Sequence, residues 1–288
     1  MSTSRNEACR VEWCRLRLEW RLHSWYYYIV RVLVVLPTYN EAENIEAIIR
    51  AVKAALGDSG DVLVVDDGSP DGTASIVDRL ATELRGIHII RRPSKEGLGS
   101  AYRAGFSWGL NRSSGAEGPF DAMVEMDSDF SHDPAAIPRL LEPLEGGYDL
   151  CIGSRYVPGG DIPGWPWYRW LISRGGNIYA EMMLRLGVKD ATSGFRAYSS
   201  RILGSIDLSA IKAEGYGFQI EMAMAVLDAG GKTTEVPITF VDRVAGTSKM
   251  SSRIFVEAFA LVTWWSMKKV ARKARERRRA GLPSGIRA

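Results

Sequence analysis

Cysteine and histidine are both scarce in this sequence of 288 residues, with three of each. Cys9, Cys14 and Cys151 are scattered and odd in number, which excludes a disulfide framework and fits a reducing compartment. Cys9, Cys14 and His23 do not have the spacing of a common zinc site. None of the histidines stands in an obvious position for a general base.

Long hydrophobic runs are also missing. No stretch reaches the roughly 18 apolar residues that a membrane-spanning helix needs, and the longest candidate, Ile254 to Met267, is interrupted by Glu257. The first thirty residues carry charges throughout and lack the apolar core of a signal peptide, so we expect an appendage over residues 1–30. The composition, 46% hydrophobic and 25% charged, is that of a globular protein with a sizeable core.

Short apolar runs alternate with amphipathic segments from residue 31 onward. "RVLVVLP", "DVLVVDDGS", "GIHIIRRP" and "DAMVEMDSD" read as strands, and helical spacing follows each of the first three. This alternation predicts βαβ units, and hence a mainly parallel sheet with helices on both faces. Polar residues collect where these strands end, at the edge of a parallel sheet that usually binds ligands.

The glycine motifs of two common nucleotide folds are absent. "LPTYNE" follows the first strand where a dehydrogenase would have GxGxxG, and GxxxxGK[ST] occurs nowhere. The sequence therefore disfavours a dehydrogenase and a P-loop NTPase.

Carboxylates end two of the predicted strands. Asp127 and Asp129 are separated by one serine, so they repel each other unless a cation or hydrogen-bond donors lie between them. Asp66 and Asp67, after the second strand, could bind a base or ribose. One interpretation is a pair of ordinary polar turns. The other is a nucleotide site in which Asp127 and Asp129 hold a divalent cation that binds a diphosphate.

Seven stretches carry a family resemblance: "VVLPTYNEAENI", "VLVVDDGSPDGT", "KEGLGSAYRAGF", "MDSDFSHDP", "IGSRY", "TSGFRAY" and "RVAGTSKM". In this order they resemble the inverting family-2 glycosyltransferases of GT-A fold, and within them the dolichol-phosphate (polyprenol-phosphate) mannose synthases. The resemblance spans about Val32 to Met267. It implies a GT-A, Rossmann-like α/β domain with a mixed, mainly parallel sheet. It also implies a GDP-mannose donor, a polyprenyl phosphate acceptor, and Mg²⁺ or Mn²⁺.

The resemblance also assigns roles by position. The implied catalytic set is Asp127, Asp129, Arg155 and Lys249, with the metal on Asp127 and Asp129. The implied donor site is Pro37, Tyr39, Glu41, Asp66, Asp67, Asp127, Arg243 and Lys249. The implied acceptor site is Arg155, Arg169 and Ser173. Ser131 departs from the pattern, because many relatives carry Gln there on the metal side, and this puts the choice of metal in doubt.

Structural interpretations of these residues stay open beside the functional ones. Tyr39 and Glu41 could form a helix N-terminus with Asn40 as its cap. Arg155, Arg169 and Lys249 could be solvated surface cations.

The mechanism implied by the acceptor needs no general base. A phosphate monoester is already anionic at pH 7, since its second pKa is about 6. It can therefore attack directly and invert the anomeric centre to a β-mannosyl phosphate. Two rival interpretations remain: a polyprenol-phosphate glucosyl- or N-acetylhexosaminyltransferase that uses a UDP-sugar, and a non-catalytic scaffold that binds nucleotide sugars.

The C-terminal part suggests how the chain reaches a lipid. We predict a glycosyltransferase domain over 31–250, an amphipathic interfacial helix over 251–270 and a basic tail over 271–288. Trp-rich apolar sequence beside lysines is typical of a helix that lies on a membrane surface, although a helix packed on the domain is the alternative. We expect a peripheral protein on the cytoplasmic face of a membrane, with an integral membrane partner as a further expectation and no nucleic-acid ligand.

Overall fold

The computed structural model describes residues 31–112, 118–242 and 258–271. In these ranges the strands form one seven-stranded sheet with the order β3-β2-β1-β4-β6-β5-β7. The strands are β1 Val32–Thr38, β2 Gly60–Asp66, β3 Ile87–Arg91, β4 Ala122–Glu125, β5 Leu150–Ser154, β6 Arg196–Ser199 and β7 Thr233–Pro237.

Helices cover both faces of this sheet. They are α1 Ile45–Leu56, α2 Thr73–Glu83, α3 Leu98–Asn111, α4 Ile137–Glu145, α5 Trp167–Leu184, α6 Ser200–Ser205, α7 Gly215–Asp228 and α8 258–271. Two apolar clusters, one on each side of the sheet, use alternate residues of the same strands: Leu33 and Val35 belong to one, Val34 and Leu36 to the other. Strands buried on both faces in this way explain why their sequences are continuously apolar.

The sheet is mixed because one strand runs against the others. β1 pairs in parallel with β2 and β4, and β2 pairs in parallel with β3. β6 lies between β4 and β5 and is antiparallel to both, while β7 extends the sheet in parallel with β5. The predicted GT-A class, an α/β fold with a mixed and mainly parallel sheet, is confirmed.

Close approach of α3 to the sheet depends on a glycine. A Cβ atom on Gly105 would lie 2.5 Å from Cγ1 of Val35, far inside van der Waals contact. Without that atom, α3 can pack its backbone directly on β1. This places the N-terminus of α3 beside the ends of the central strands.

Arg31 anchors the opposite end of the sheet, where β1 begins. Its backbone N–H donates to Asp121 at 2.9 Å, and its guanidinium donates to Gly118 O at 2.6 Å and to Asp61 at 3.0 Å. The chain therefore enters the sheet at the edge away from the carboxyl ends of the parallel strands.

Helix α8 packs against α5. The Phe259 ring stacks on Tyr179 with ring centroids 4.2 Å apart, the hydroxyls of Tyr179 and Thr263 are 2.8 Å apart, and Lys269 donates to Leu184 O at 2.7 Å. Among the described residues no helix is long and apolar enough to cross a membrane. The boundaries 1–30, 31–250, 251–270 and 271–288 stay predictions, since each falls partly or wholly outside the described ranges.

Candidate functional site

The carboxyl ends of β1, β2 and β4 meet at one edge of the sheet. Thr38 pairs with Asp66 and Val35 pairs with Glu125 in the parallel ladders, so the residues that follow these strands emerge side by side. The predicted donor and metal residues that the structure describes therefore lie at one edge of the sheet, and we refer to this edge, bordered by the loops after β1, β2 and β4, as the cleft. The hydrogen bonds below show how each carboxylate is held.

Asp66 joins the loops that follow β1 and β2. Its Oδ1 accepts hydrogen bonds from the Thr38 hydroxyl at 3.0 Å and the Ser69 hydroxyl at 2.5 Å, and Oδ2 accepts from Ser69 N at 3.0 Å. Ser69 Oγ in turn accepts from the backbone N–H of Asn40 at 3.0 Å. Asn40 has a positive φ of 62°, a conformation that asparagine tolerates. Asp66 thus acts on the cleft by fixing its loops.

Asp67 is held by a residue that sequence analysis did not select. The buried Arg92 donates from Nε to Asp67 Oδ1 at 2.6 Å, and its Nη2 forms an ion pair with the same oxygen. Arg92 also donates to the Ser100 hydroxyl at 2.7 Å and to Gly97 O at 3.3 Å. Asp67 is therefore tied to the loop that leads into α3, and its orientation depends on that loop.

Pro37, Tyr39 and Glu41 lie along the mouth of the cleft. Tyr39 is half-buried, and the Lys95 ammonium lies 4.5 Å from its ring centroid. Glu41 accepts from Asn44 Nδ2 at 3.0 Å, and the Pro37 carbonyl accepts from Ser128 at 3.0 Å. The alternative in which Asn40 caps a helix is wrong, because α1 begins at Ile45 and Asn44 takes the N-cap position.

Asp127 and Asp129 follow β4 on the cleft side. Asp127 is half-buried, and its Oδ1 lies 3.5 Å from the Tyr102 hydroxyl. Asp129 is buried, and its Oδ1 accepts from Ser131 N at 3.0 Å. Burial, then Asp127 and Glu125, and to a smaller extent Tyr198 and Asp129, raise the pKa of Tyr102 well above its usual range.

A buried acid lies beneath Asp127. Glu125 is fully enclosed, and its Oε1 accepts from the Tyr198 hydroxyl at 3.0 Å. Burial raises the pKa of Glu125 to about 7, against the opposing influence of Arg196. Asp127 contributes to this rise, so the two acidic groups interact.

Arg155 is buried and paired. Its Nε and Nη2 each donate to Asp190 at 2.7 Å, its backbone N–H donates to the same carboxylate at 3.0 Å, and Nη2 also donates to Thr192 at 2.9 Å. The alternative of a solvated surface cation is wrong for Arg155, because only 7% of the residue is exposed. Its contact with phosphate stays a prediction.

Arg169 and Ser173 stand on the first turns of α5. Arg169 donates to Asp242 at 2.7 Å and lies 3.9 Å from the Trp165 ring centroid. Ser173 accepts from the Tyr156 hydroxyl at 2.7 Å. The Arg155 guanidinium lies 5.4 Å from the Tyr156 ring and 5.8 Å from the Trp165 ring, so aromatic rings connect the three predicted acceptor residues. Arg243 and Lys249 lie outside the described residues, and their roles stay predictions.

Sequence analysis missed three residues of this region. Arg92 was within a noted polar strand end, but nothing indicated that it would turn inward to Asp67. Asp190 and Gln219 had no local signal: Asp190 stands in a polar loop, and Gln219 stands in an apolar helix, α7. Both are buried.

The comparisons with known proteins agree with this geometry. Residues 33–206 match the family model described as glycosyl transferase family 2. The chain belongs to glycosyl transferase family 2. It is 46% identical over 239 residues to polyprenol monophosphomannose synthase of Mycolicibacterium smegmatis, covering 83% of this chain and 88% of that protein. It is 47% identical over 253 residues to undecaprenyl-phosphate mannosyltransferase of Micrococcus luteus, covering 88% and 100%. The predicted resemblance to polyprenol-phosphate mannose synthases is confirmed.

Solved structures of this family share the fold. Glucosyl-3-phosphoglycerate synthase from Mycobacterium tuberculosis, in complex with UDP, has a TM-score of 0.58 at 22% identity, covering 85% of this chain and 86% of that one. The complex of that enzyme with Mn²⁺, UDP-glucose and phosphoglyceric acid has a TM-score of 0.57 at 21% identity with the same coverage. At this identity the likeness shows the fold alone.

Asp127 and Asp129 suit a hard divalent cation whose remaining coordination positions are filled by a bound ligand and water. Among the described residues there is no group of three or more His, Cys, Asp or Glu side chains arranged to hold a metal. Two carboxylates are what Mg²⁺ usually takes from a protein when phosphate oxygens and water supply its other ligands. Asp127 and Asp129 therefore fit a cation that arrives with a diphosphate.

Proposed function

We propose that this chain transfers mannose from GDP-mannose to a polyprenyl phosphate, with inversion at the anomeric carbon. The observation that carries the proposal is the 46–47% identity, over most of both chains, to two proteins named for mannosyl transfer to polyprenol or its phosphate. The cleft supports it, because carboxylates for a nucleotide and a cation lie beside buried and half-buried arginines.

Asp127 and Asp129 would hold Mg²⁺ or Mn²⁺ in this proposal. When bound, the cation neutralises negative charge on the diphosphate that leaves. Asp67, held by Arg92, would contact the nucleoside, and Tyr39 would border it. Asp66 would act indirectly, since its oxygens already bind Thr38 and Ser69.

The described cleft contains no histidine poised as a general base. His132 is buried between the rings of Phe195 and Phe240, 5.0 Å and 5.5 Å away. Burial lowers the pKa of His132 to about 4, so it is neutral at pH 7 and enclosed. A phosphate monoester acceptor needs no such base, whereas a sugar hydroxyl would need one, from a carboxylate if not from a histidine.

Arg155, Arg169 and Ser173 would orient the acceptor phosphate. The Asp190 carboxylate fixes Arg155 in place, which lowers the entropy lost when a phosphate binds. Arg169 is partly exposed on α5 and forms an ion pair with Asp242. We infer that Arg169 exchanges Asp242 for phosphate when the acceptor enters.

Helix α5 presents an apolar stripe to solvent. Trp167, Leu171, Ile178 and Met182 lie four, seven and four residues apart on one side of the helix, and between 49% and 76% of each residue is exposed. A monomeric globular protein seldom exposes so many large apolar side chains together. We propose that this stripe rests in the interface of the membrane that holds the acceptor.

Helix α8, which packs on α5, also exposes large apolar side chains. Phe259, Trp264, Met267 and Val270 are exposed, and the Lys268 ammonium lies 3.5 Å from the Trp264 ring centroid. The opposite side of α8 is buried through Val262 and Trp265. The packed alternative thus describes one side of α8, and the interfacial helix over 251–270 stays a prediction. The cytoplasmic face of the membrane and an integral partner stay predictions.

A transfer assay tests the proposed function. The full-length protein is incubated with polyprenyl phosphate and with radiolabelled GDP-mannose, UDP-glucose or UDP-N-acetylglucosamine, with and without Mg²⁺. We expect label in the lipid fraction only from GDP-mannose with the cation present. Transfer from a UDP-sugar alone would replace the donor assignment, and no transfer from any donor would favour a binding scaffold.

Asp129→Asn and Asp133→Asn form a matched pair for the same assay. Asp133 is four residues away, exposed, and caps a short helix through Ala135 N at 2.9 Å, a role that asparagine fills equally well. We expect Asp129→Asn to lose transfer and Asp133→Asn to retain it. Full activity in Asp129→Asn would contradict the metal assignment.

A further inference from the structure

A small gap lies beside Asp127, at the start of β6. Gly194 has an ordinary backbone conformation, so its lack of a side chain is not needed to relieve strain. A methyl group on Gly194 would have two described neighbours within 4 Å: Gln219 Nε2 at 3.6 Å and Asp127 Oδ2 at 3.8 Å. Both are ordinary contact distances, so the fold does not exclude a methyl group here. Polar atoms of Gln219 and Asp127 therefore border this position.

Gln219 points a buried amide toward this gap. Only 2% of the residue is exposed, and its backbone carbonyl accepts a hydrogen bond from Arg196 at 2.7 Å, which fixes the α7 turn that carries it. The amide lies close enough to the Glu125 carboxyl to lower the pKa of that acid, but in the described part of the chain Glu125 Oε2 also lacks a partner at hydrogen-bond geometry, so the two groups do not satisfy each other. Within the described residues, neither the nitrogen nor the oxygen of the amide meets a partner at hydrogen-bond geometry. Leaving such a group unpaired costs about 1–3 kcal/mol.

The chemistry of the gap selects its ligand. A side-chain amide offers both donors and an acceptor, whereas a phosphate dianion has acceptors only and would leave the amide oxygen unpaired. The Asp127 carboxylate on the other side accepts hydrogen bonds and repels anions. A neutral hydroxyl satisfies both sides, because it can accept from the Gln219 amide and donate to an oxygen. The gap is therefore suited to a sugar hydroxyl and unsuited to a phosphate.

We propose that Gln219 and the side of Gly194 that carries no side chain form the subsite for a hydroxyl of the transferred hexose, and that Gln219 is a specificity-determining residue. The inference rests on the proposed function, which places the diphosphate of the donor at Asp127. The hexose attached to that diphosphate must lie next to it, which is where the gap is.

Two variants test the subsite from different directions. Gln219→Leu removes the amide and keeps a side chain of similar size. Gly194→Ala keeps the amide and fills the gap, and the distances above predict normal folding. For each variant we measure the affinity for GDP, the affinity for GDP-mannose and kcat/KM for transfer. Gly204→Ala, on α6 with its nearest neighbour at 3.9 Å, is the control for a glycine-to-alanine change.

We expect both variants to bind GDP within about twofold of wild type and to lose about 10- to 100-fold in kcat/KM for GDP-mannose, as expected when a sugar hydroxyl loses its partner. The KM for polyprenyl phosphate should not change. GDP-mannose analogues that each lack one hydroxyl sharpen the test. With the analogue that lacks the contacted hydroxyl, wild type should have a low kcat/KM. Gln219→Leu should not lower the kcat/KM for that analogue any further.

Three outcomes would overturn the inference: activity of both variants within twofold of wild type, an equal loss of affinity for GDP and GDP-mannose, or a rise confined to the KM of the lipid acceptor. The wild-type donor profile tests the proposed function separately. If wild type prefers another nucleotide sugar, the same comparison with that donor still decides the role of Gln219.

Discussion

The Arg155 guanidinium and the Asp190 carboxylate form a buried, bidentate ion pair, with both hydrogen bonds 2.7 Å long. Asp190 is itself held in place, because Glu235 on β7 accepts from the backbone N–H groups of Lys189 at 2.7 Å and Asp190 at 2.9 Å. An arginine proposed to face phosphate thus depends on an acid 35 residues later in the chain. Three elements cooperate to place one cation.

Replacing Asp190 should destabilise the fold. Asp190→Ala leaves the Arg155 charge buried without its partner, which typically costs about 3–5 kcal/mol. We expect urea unfolding to show a loss of this size. Asp78→Ala is a contrast with little expected loss, because Asp78 and its ion-pair partner Arg91 are both exposed, with 55% and 51% of their side chains accessible. Equal stability of Asp190→Ala and wild type would contradict a structural role for the pair.

The same pair predicts a dependence of stability on pH. Burial alone would raise the pKa of Asp190, but Arg155 outweighs it and holds the pKa below its usual range. The stabilisation is therefore present above the pKa of the unfolded state, about 3.9, and is lost as pH falls through the folded value. Asp190→Asn should show a smaller loss of unfolding free energy than wild type between pH 5 and pH 2, measured by urea titration at each pH. An identical pH profile would assign acid sensitivity to other groups.

Arg92 and its neighbour Arg91 allow a matched test of donor binding. Arg92 is buried against Asp67, whereas Arg91 is exposed and pairs with Asp78 on α2. We expect Arg92→Gln to weaken GDP binding about 10-fold, because the lost hydrogen bonds to a charged group are worth about 1.5–3 kcal/mol and Asp67 loses its orientation. Arg91→Gln should bind GDP as wild type does, by calorimetry. Equal affinities in the two variants would remove Asp67 from the donor site.

The apolar stripe of α5 should govern binding to vesicles. Leu171→Ser removes one exposed side chain from the stripe, and burial of a leucine side chain contributes about 1.5–3 kcal/mol. We expect about a 10-fold weaker partition to vesicles that contain anionic lipid, measured by flotation. Tyr148→Ser, at an exposed apolar residue outside α5 and α8, is the control. If both variants float as wild type does, α5 is not the contact surface.

Gly105 should be intolerant of substitution. Alanine improves helix propensity by up to about 1 kcal/mol, but the added methyl would collide with Val35, and overpacking costs about 1–3 kcal/mol. We expect Gly105→Ala to be destabilising in urea unfolding. Combining it with Val35→Ala should cost less than the sum of the two single changes. Additive losses would mean that α3 moves away from β1 without strain.

The parts of the fold that the sequence predicts are those with local signals. β1 and β2 are continuous apolar runs, and the stripe Ile45, Ile48, Ile49 and Val52 of α1 is buried as its spacing indicates. Helix α4 was missed, since Pro143 lies inside it and obscures the helical pattern. The direction of β6 could not be predicted, because four residues of strand sequence do not encode whether the neighbours run with or against them.

The residues of the site also divide into those with a local sequence signal and those without one. Asp66, Asp67, Asp127 and Asp129 follow strands, so their convergence follows from parallel topology alone. Pairings between residues that are distant in sequence could not be predicted in this way. They are Arg92 with Asp67, Arg155 with Asp190, and Gln219 with the gap at Gly194. Their side-chain types are common in loops and helices, and only packing shows that they are buried. The exposed stripe on α5 could not be predicted, because sequence shows periodicity but not which side of a helix faces the domain.

The anchoring of Arg31 has a practical consequence for handling the protein. Since Arg31 joins the sheet at the edge remote from the cleft, coupling to a sensor chip at residue 31 itself would leave the cleft facing the flowing solution. Coupling through lysines such as Lys268 and Lys269 of α8 would instead cover the side that we propose meets lipid.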